Sequence, residues 1–172
     1  TNTLENMVQE ILTLSRLENS ETPVSYNQFD ISQSIKSYLS PAEDLMLRKN
    51  LMLHTDIDAP VLVSGDNRLL SKVIGNLISN AIFYSPPDNE IFIVAKNEGG
   101  RFQFRIENTG VHIPHDVLSK IFEPFYRVDQ SRSRQTGGSG LGLYIVQKIL
   151  AQHGTKCDVQ NTEQGVCFSF FL

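Results

Sequence analysis

The chain has 172 residues, of which 40% are hydrophobic and 20% are charged, enough for one well-buried core in a soluble domain. Its formal net charge of −4 argues against a nucleic-acid surface, and the sequence shows no membrane-spanning apolar run or signal segment. The two cysteines, Cys157 and Cys167, lack metal-ligand spacing, so we expect reduced thiols in a cytoplasmic compartment, with a hairpin disulfide as the minor alternative.

The first element predicted in chain order is a helix over residues 1–18. Apolar residues recur there at intervals of three and four, the stripe of a helix that packs on partner helices. They are Leu4, Met7, Ile11, Leu14 and Leu17. Because the stripe begins without a capping residue, we expect the tail of a longer helix in a longer protein. The polar, proline-containing stretch that follows predicts a linker over 19–28.

From Phe29 onward the sequence mixes helices with strands. Helices are predicted over 32–49 and 66–84, the second capped by Asp66, and a third helix follows a glycine cluster. Strands are predicted over 51–54, 61–64, 90–96, 101–107, 156–160 and 166–171. The expectation for 29–172 is an α/β fold, a two-layer sandwich of a mixed sheet and about three helices.

The glycine cluster at 137–143 opens directly onto an amphipathic helix. Glycines let phosphate approach the backbone, and free N–H groups at a helix start attract anions. Because neither common phosphate-loop motif is present, the cluster indicates another nucleotide-binding fold, with a flexible loop as the alternative. Arg127, Arg132 and Arg134 precede the cluster and add positive charge that suits phosphate.

The predicted helix over 66–84 has a polar edge. Lys72, Asn76 and Asn80 lie along it at four-residue intervals. Two amides one helical turn apart present neutral oxygens that suit Mg²⁺ held mainly by a triphosphate. A solvated helix face is the alternative for the asparagines, and the glycine cluster favours the nucleotide interpretation.

Four segments, in order along the chain, resemble the boxes of the ATP-binding catalytic domain of sensor histidine kinases, within the gyrase, Hsp90, histidine kinase and MutL superfamily. Residues 72–81 resemble the N box, 106–114 the first glycine box, 122–127 the F box and 137–143 the second glycine box. Residues 3–18 resemble the end of the second dimerisation helix. The resemblance implies a Bergerat-type ATP-binding fold in a protein-histidine kinase that transfers the γ-phosphoryl group of ATP.

The resemblance also implies a role for individual residues. Asn80 would coordinate Mg²⁺ and Asn76 would complete the catalytic edge, while Arg127 would meet the γ-phosphate and Asn108 the adenine. Residues 127–137 would form a mobile lid. Further contacts with ATP are implied for Tyr84, Gly110, Ile113, Gly138, Ser139, Gly140, Leu141, Gly142 and Leu143.

Three residues depart from the family's pattern. Asn108 stands where the family usually has Asp, so adenine recognition loses charge assistance. His112 replaces the second glycine of the first glycine box and restricts the backbone there. Phe83 stands where a lysine often reaches phosphate. We expect these changes to weaken nucleotide binding rather than alter the fold.

The histidines of the chain do not match the family's phosphoacceptor motif, in which an acidic residue and a proline follow. They are His54, His112, His115 and His153. The resemblance therefore implies an acceptor upstream, on a dimerisation domain of the same protein. It further implies a homodimeric, membrane-anchored bacterial sensor and a response regulator receiver domain as partner. We expect this cytoplasmic segment to contact neither nucleic acid nor membrane.

Two other functions compete with the kinase interpretation. An ATPase like gyrase, Hsp90 or MutL needs a glutamate one turn before the Mg²⁺ asparagine, and an amide, Asn76, occupies that position and cannot activate water. A nucleotide-binding or partner-binding module with little kinase activity would result if the three departures abolished catalysis. Measured ATP affinity separates an inert binding module from the kinase.

Overall fold

The computed structural model describes residues 2–19, 23–128 and 138–172, which form four helices and seven strands. The helices are α1 (Asn2–Glu18), α2 (Ile31–Arg48), α3 (Asn67–Tyr84) and α4 (Gly142–Gln152). The strands are β1 (Asn27–Asp30), β2 (Met52–Ile57), β3 (Leu62–Gly65), β4 (Glu90–Glu98), β5 (Arg101–Thr109), β6 (Asp158–Asn161) and β7 (Gly165–Phe171). None of the described helices is long and apolar enough to cross a membrane.

Five strands form one mixed sheet in the order β2-β4-β5-β7-β6. β2 runs parallel to β4, and the other neighbouring strands are antiparallel. α3 packs against α2, α4 and β5, and the buried side chains of both layers form one apolar core. The predicted two-layer α/β sandwich is therefore confirmed.

The sequence pattern did not predict strand β1. It pairs antiparallel with β3 in a separate two-stranded sheet, and because its first two residues are exposed it lacks apolar alternation. Its last residue, Asp30, caps α2 by accepting from Ser32 N at 3.0 Å, and accepts from Val61 N at 2.9 Å. Partial burial acts to raise the pKa of Asp30, but the hydrogen bond from the Ser32 hydroxyl, the two backbone bonds and one from Gln33 together lower it.

The sequence correctly predicted how α3 begins, because the side chain of Asp66 accepts from Leu69 N at 3.1 Å. The helix ends against a lysine that the sequence did not single out. Lys49 Nζ donates to Ile82 O at 2.6 Å and to Phe83 O at 3.1 Å. A side chain therefore satisfies part of the free backbone groups at each end of α3.

α1 docks on the sandwich along one side only. Leu17 packs against the core, and its carbonyl accepts from Gln152 Nε2 at 3.1 Å. Lys72, on the predicted polar edge of α3, donates to Thr13 Oγ1 at 2.8 Å. Leu4, on the same predicted stripe, remains 71% exposed. The apolar stripe is thus divided between the sandwich and solvent.

Both cysteines are buried free thiols. Burial raises the pKa of Cys157 to about 12 and also raises the pKa of Cys167. The alternative of a hairpin disulfide is not realised, and neither thiol is activated as a nucleophile.

Candidate functional site

The polar edge of α3 meets the start of α4. Asn76 Nδ2 donates to Gly142 O at 3.1 Å. Asn80, one turn further on, is half-buried, and its side chain takes part in none of the hydrogen bonds found between described residues. Tyr84 ends the helix and is 44% exposed, and its ring lies edge-on to that of Phe83 with 4.9 Å between ring centroids. Asn76 therefore holds α4 in place, while the amide of Asn80 is available to a ligand.

α4 begins without a side-chain cap. Leu141, fully buried, donates its N–H to Ser139 Oγ at 3.1 Å, and the first helical bond runs from Ile145 N to Leu141 O at 2.9 Å. The N–H groups of residues 142–144, which include half-buried Leu143, therefore have no acceptor within the helix. With the positive end of the helix dipole behind them, they fit an anionic group.

The glycine segment that precedes α4 is joined to residues 125–127. Phe125 N donates to Gly140 O at 3.0 Å, and Arg127 Nη1 donates to Gly138 O at 2.6 Å. Gly140 has a φ of +76°, and a Cβ there would lie 2.9 Å from the backbone of Phe125. Glycine is therefore required at Gly140. The structure thus brings predicted site residues Arg127 and Gly138 together.

The rest of the predicted lid, residues 129–137, lies outside the described residues. Arg132, Arg134 and Gly137 belong to it, so their predicted roles stay predictions. Of the predicted lid residues, Arg127 and Val128 are described, and Val128 is 45% exposed.

The loop after β5 is tied to the hairpin between β6 and β7. Gly110, with a φ of +80°, donates its N–H to Gln164 O at 3.0 Å. The amide of Asn161 holds Ile113 at both ends: Oδ1 accepts from Ile113 N at 2.9 Å and Nδ2 donates to Ile113 O at 2.7 Å. These bonds connect residues 110–113 to the β6–β7 hairpin at one edge of the sheet.

His112 causes no left-handed strain in this loop, because it is absent from the described residues with positive φ. Its exposed ring lies 3.0 Å from Thr162 O, measured from Nε2. Replacing glycine with histidine here therefore causes no strain from a left-handed backbone. The ring instead adds a contact with the β6–β7 hairpin.

Asn108 ends the buried row of β5 side chains that faces the helices, and it is 1% exposed. Its Nδ2 is shielded from solvent and has no hydrogen-bond partner among the described residues. The neighbouring hydroxyl, that of Thr109, accepts from Glu90 N at 2.9 Å and donates to Asn89 Oδ1 at 3.1 Å. An unpaired buried donor costs about 1–3 kcal/mol, so the Nδ2 of Asn108 is suited to a partner from outside the described residues.

The sequence pattern does not single out Asn89, Asn161 and Thr162. These residues support the loop after β5 and do not face the predicted nucleotide site. Thr162 Oγ1 donates to Glu107 Oε1 at 2.6 Å and accepts from Gly165 N at 3.0 Å. The only signal near Asn161 and Thr162 is their position before a predicted turn, which says nothing about a distant loop.

The described residues contain no group of three or more His, Cys, Asp or Glu side chains that could hold a metal ion. The metal ligand predicted from the sequence is the amide oxygen of Asn80, and its role stays a prediction in which phosphate and water supply the remaining ligands.

Comparison with known proteins identifies the family. The profile described as histidine kinase-, DNA gyrase B- and HSP90-like ATPase matches residues 65–172. The chain belongs to this family. Sensor protein VanSB of Enterococcus faecalis is 37% identical over 161 residues, which are 94% of this chain and 36% of that protein. The sensor-like histidine kinase SenX3 of Mycolicibacterium smegmatis is 35% identical over 150 residues, 87% of this chain and 39% of that protein.

Solved structures agree on the fold of this ATPase-family domain. The catalytic domain of histidine kinase ThkA superposes with a TM-score of 0.74 at 28% identity, covering 86% of this chain and 95% of that one. Acinetobacter baumannii histidine kinase AdeS gives a TM-score of 0.81 at 24% identity, covering 99% and 78%, a likeness of fold alone. The chain is thus an ATP-binding catalytic domain of the histidine kinase type, and it spans 36% and 39% of the two curated relatives.

Proposed function

We propose that this domain binds Mg·ATP and transfers the γ-phosphoryl group to a histidine on the dimerisation domain of the same protein. The observation that carries the proposal is the bond of 3.1 Å from Asn76 Nδ2 to Gly142 O. It holds the polar edge of α3 against the uncapped start of α4, so an amide ligand for a metal and an anion-binding helix start border the same space.

Phosphoryl transfer depends on positioning and charge stabilisation more than on covalent chemistry by the protein. In the proposed site, the N–H groups of residues 142–144 bind phosphate oxygens, and Arg127 places its guanidinium beside the γ-phosphate. Asn80 holds the metal ion, and Mg²⁺ supplies charge neutralisation at the phosphate oxygens. Asn108 meets the adenine, with Tyr84, Gly110 and Ile113 bordering the nucleotide.

An asparagine at position 76 favours phosphoryl transfer over hydrolysis of ATP. Its amide cannot take a proton from water, and its Nδ2 is already bonded to Gly142 O. The proposed kinase therefore differs from the ATPases of the superfamily in this residue, which holds α4 in place.

We extend the proposal to the whole protein, a homodimeric bacterial sensor that is membrane-anchored, with this domain in the cytoplasm. The relatives are named as sensor proteins and sensor-like histidine kinases, and the structure of ThkA includes a complex with response regulator protein TrrA. A receiver domain of a response regulator would take the phosphoryl group. The exposed side of α1, with Leu4 at 71% and Ile11 at 51% exposed, suits packing against dimerisation helices.

Calorimetric titration with ATP, with and without Mg²⁺, tests the binding site. We expect Mg²⁺ to strengthen binding, and Asn80→Ala to remove most of that gain because it deletes the proposed ligand. Asn97→Ala, an exposed amide of β4, is the matched control and should leave the gain unchanged. Unaltered Mg²⁺ dependence in Asn80→Ala would exclude Asn80 as the metal ligand.

Transfer is tested with γ-labelled ATP and a supplied dimerisation domain. We expect acid-labile label on the supplied domain and none on this chain. Label on a histidine of this chain alone would contradict the proposed acceptor, and ATP binding without any transfer would favour the binding-module alternative.

A further inference from the structure

Asn108 differs from the asparagines that surround the first glycine box because no described residue forms a hydrogen bond with its amide. Asn89 Nδ2 donates to Pro87 O at 2.9 Å while its Oδ1 accepts from Thr109, and the amide of Asn161 is bonded to Ile113 at both ends. The side chain of Asn108 makes no hydrogen bond with another described residue, although its Nδ2 is shielded from solvent.

The backbone of Asn108 is nevertheless firmly placed. It pairs with Ile91 of β4 and with Val166 of β7, so it lies in the centre of the sheet. Its side chain shares a face with Phe104 and Ile106, both buried under the helices. Rotating the amide by half a turn about the Cβ–Cγ bond therefore breaks no hydrogen bond to a described residue and moves no backbone.

We propose, as an inference that rests on the proposed function, that Asn108 allows the base subsite to accept 6-oxopurine nucleoside triphosphates as well as ATP. Adenine presents a donor at N6 and an acceptor at N1, whereas hypoxanthine presents an acceptor at O6 and a donor at N1. A carboxamide has both a donor and an acceptor, so it pairs with adenine in one orientation and with hypoxanthine in the other. A carboxylate only accepts, so with either base it makes one hydrogen bond and opposes one acceptor, which is N1 of adenine or O6 of hypoxanthine.

The test is calorimetric titration of the chain with Mg·ATP and with Mg·ITP. ITP is the appropriate probe because it changes the N1 and C6 edge alone, whereas GTP adds a 2-amino group. We expect the two dissociation constants to agree within about tenfold, because each base makes a two-point pair with the amide. In Asn108→Ala, ATP and ITP should both bind at least about tenfold more weakly, because each base loses its two-point pair.

Asn97→Ala makes the same truncation at an exposed position of β4 and should leave both affinities unchanged. A preference for ATP above about tenfold in the unmodified chain, or an unchanged ITP affinity in folded Asn108→Ala, would overturn the inference. If Asn108→Ala does not fold, as judged by thermal unfolding, the ratio of the two affinities in the unmodified chain decides. ATP binding with ITP excluded contradicts only this inference, whereas failure of both to bind contradicts the proposed function too.

Discussion

The two loops that border the proposed nucleotide site are held in different ways. The loop after β5 is bonded to the β6–β7 hairpin through Gly110 N, the His112 ring and both backbone groups of Ile113. The glycine segment before α4 is joined to residues 125–127 by the Phe125–Gly140 bond and by the side chain of Arg127. The proposed base side is therefore preformed.

On the phosphate side, the residue that ties the glycine segment is the same residue proposed to meet the γ-phosphate. We expect Arg127 to lengthen or leave its 2.6 Å contact with Gly138 O when its guanidinium turns to phosphate. Nucleotide binding would thus change contacts on this side and leave the base side unchanged. Four substitutions test this comparison.

Gly165→Ala should have the largest effect, because a Cβ there would lie 2.0 Å from the backbone oxygen of Asn108. We expect a loss of about 3–5 kcal/mol in the free energy of unfolding, measured by urea denaturation. Gly154→Ala is the control, since Gly154 has a φ of +72° with nothing within 4 Å of a Cβ, and should cost about 1–2 kcal/mol. Equal losses of unfolding free energy in the two variants would mean that the hairpin backbone shifts at little cost and that the base side is not rigid.

Asn161→Ala should loosen the base side by removing both bonds to Ile113. We expect a loss of about 1–3 kcal/mol in unfolding free energy, and a weakening of ADP and ATP binding by the same factor in calorimetry. Asn97→Ala should change neither quantity. A loss confined to ATP would show that Ile113 acts on the phosphate side instead.

Arg127→Ala should weaken ATP binding by about tenfold, or about 1.4 kcal/mol, and ADP binding much less, because its charge is directed at the γ-phosphate. Arg48→Ala, at the exposed end of α2, should leave both affinities unchanged. Amide exchange gives a second measurement: we expect ATP to protect residues 128–139 more than ADP does, and Arg127→Ala to reduce that difference. Equal protection by both nucleotides in the unmodified chain would exclude this role for Arg127.

Ser139→Ala should have the smallest effect, since it removes only the acceptor for Leu141 N. We expect a loss of about 0.5–1 kcal/mol in unfolding free energy, with no change in the ratio of ATP to ITP affinity. Ser40→Ala, exposed on α2, should cause no loss. A larger loss in Ser139→Ala than in Asn161→Ala would reverse the assignment of the rigid side.

Sequence patterns were sufficient for the elements whose signals are local. Asp66 followed by an apolar face predicted α3 and its cap, the alternation over 101–107 predicted β5, and the glycine-led segment predicted α4. Four ordered boxes then predicted the family, which the match over 65–172 confirms. Capping, periodicity and glycine content act between neighbouring residues, so a single sequence expresses them directly.

The support of the site depends instead on residues far apart in the chain. Ile113 and Asn161 are separated by 48 positions, and Asn76 and Gly142 by 66. These pairs meet because the strand order places β7 beside β5 and because α3 packs on α4. β1 was missed for the same reason, since its exposed residues gain their structure from pairing with β3. Contacts of this kind follow from long-range pairing and layer packing, which no local pattern of side chains specifies.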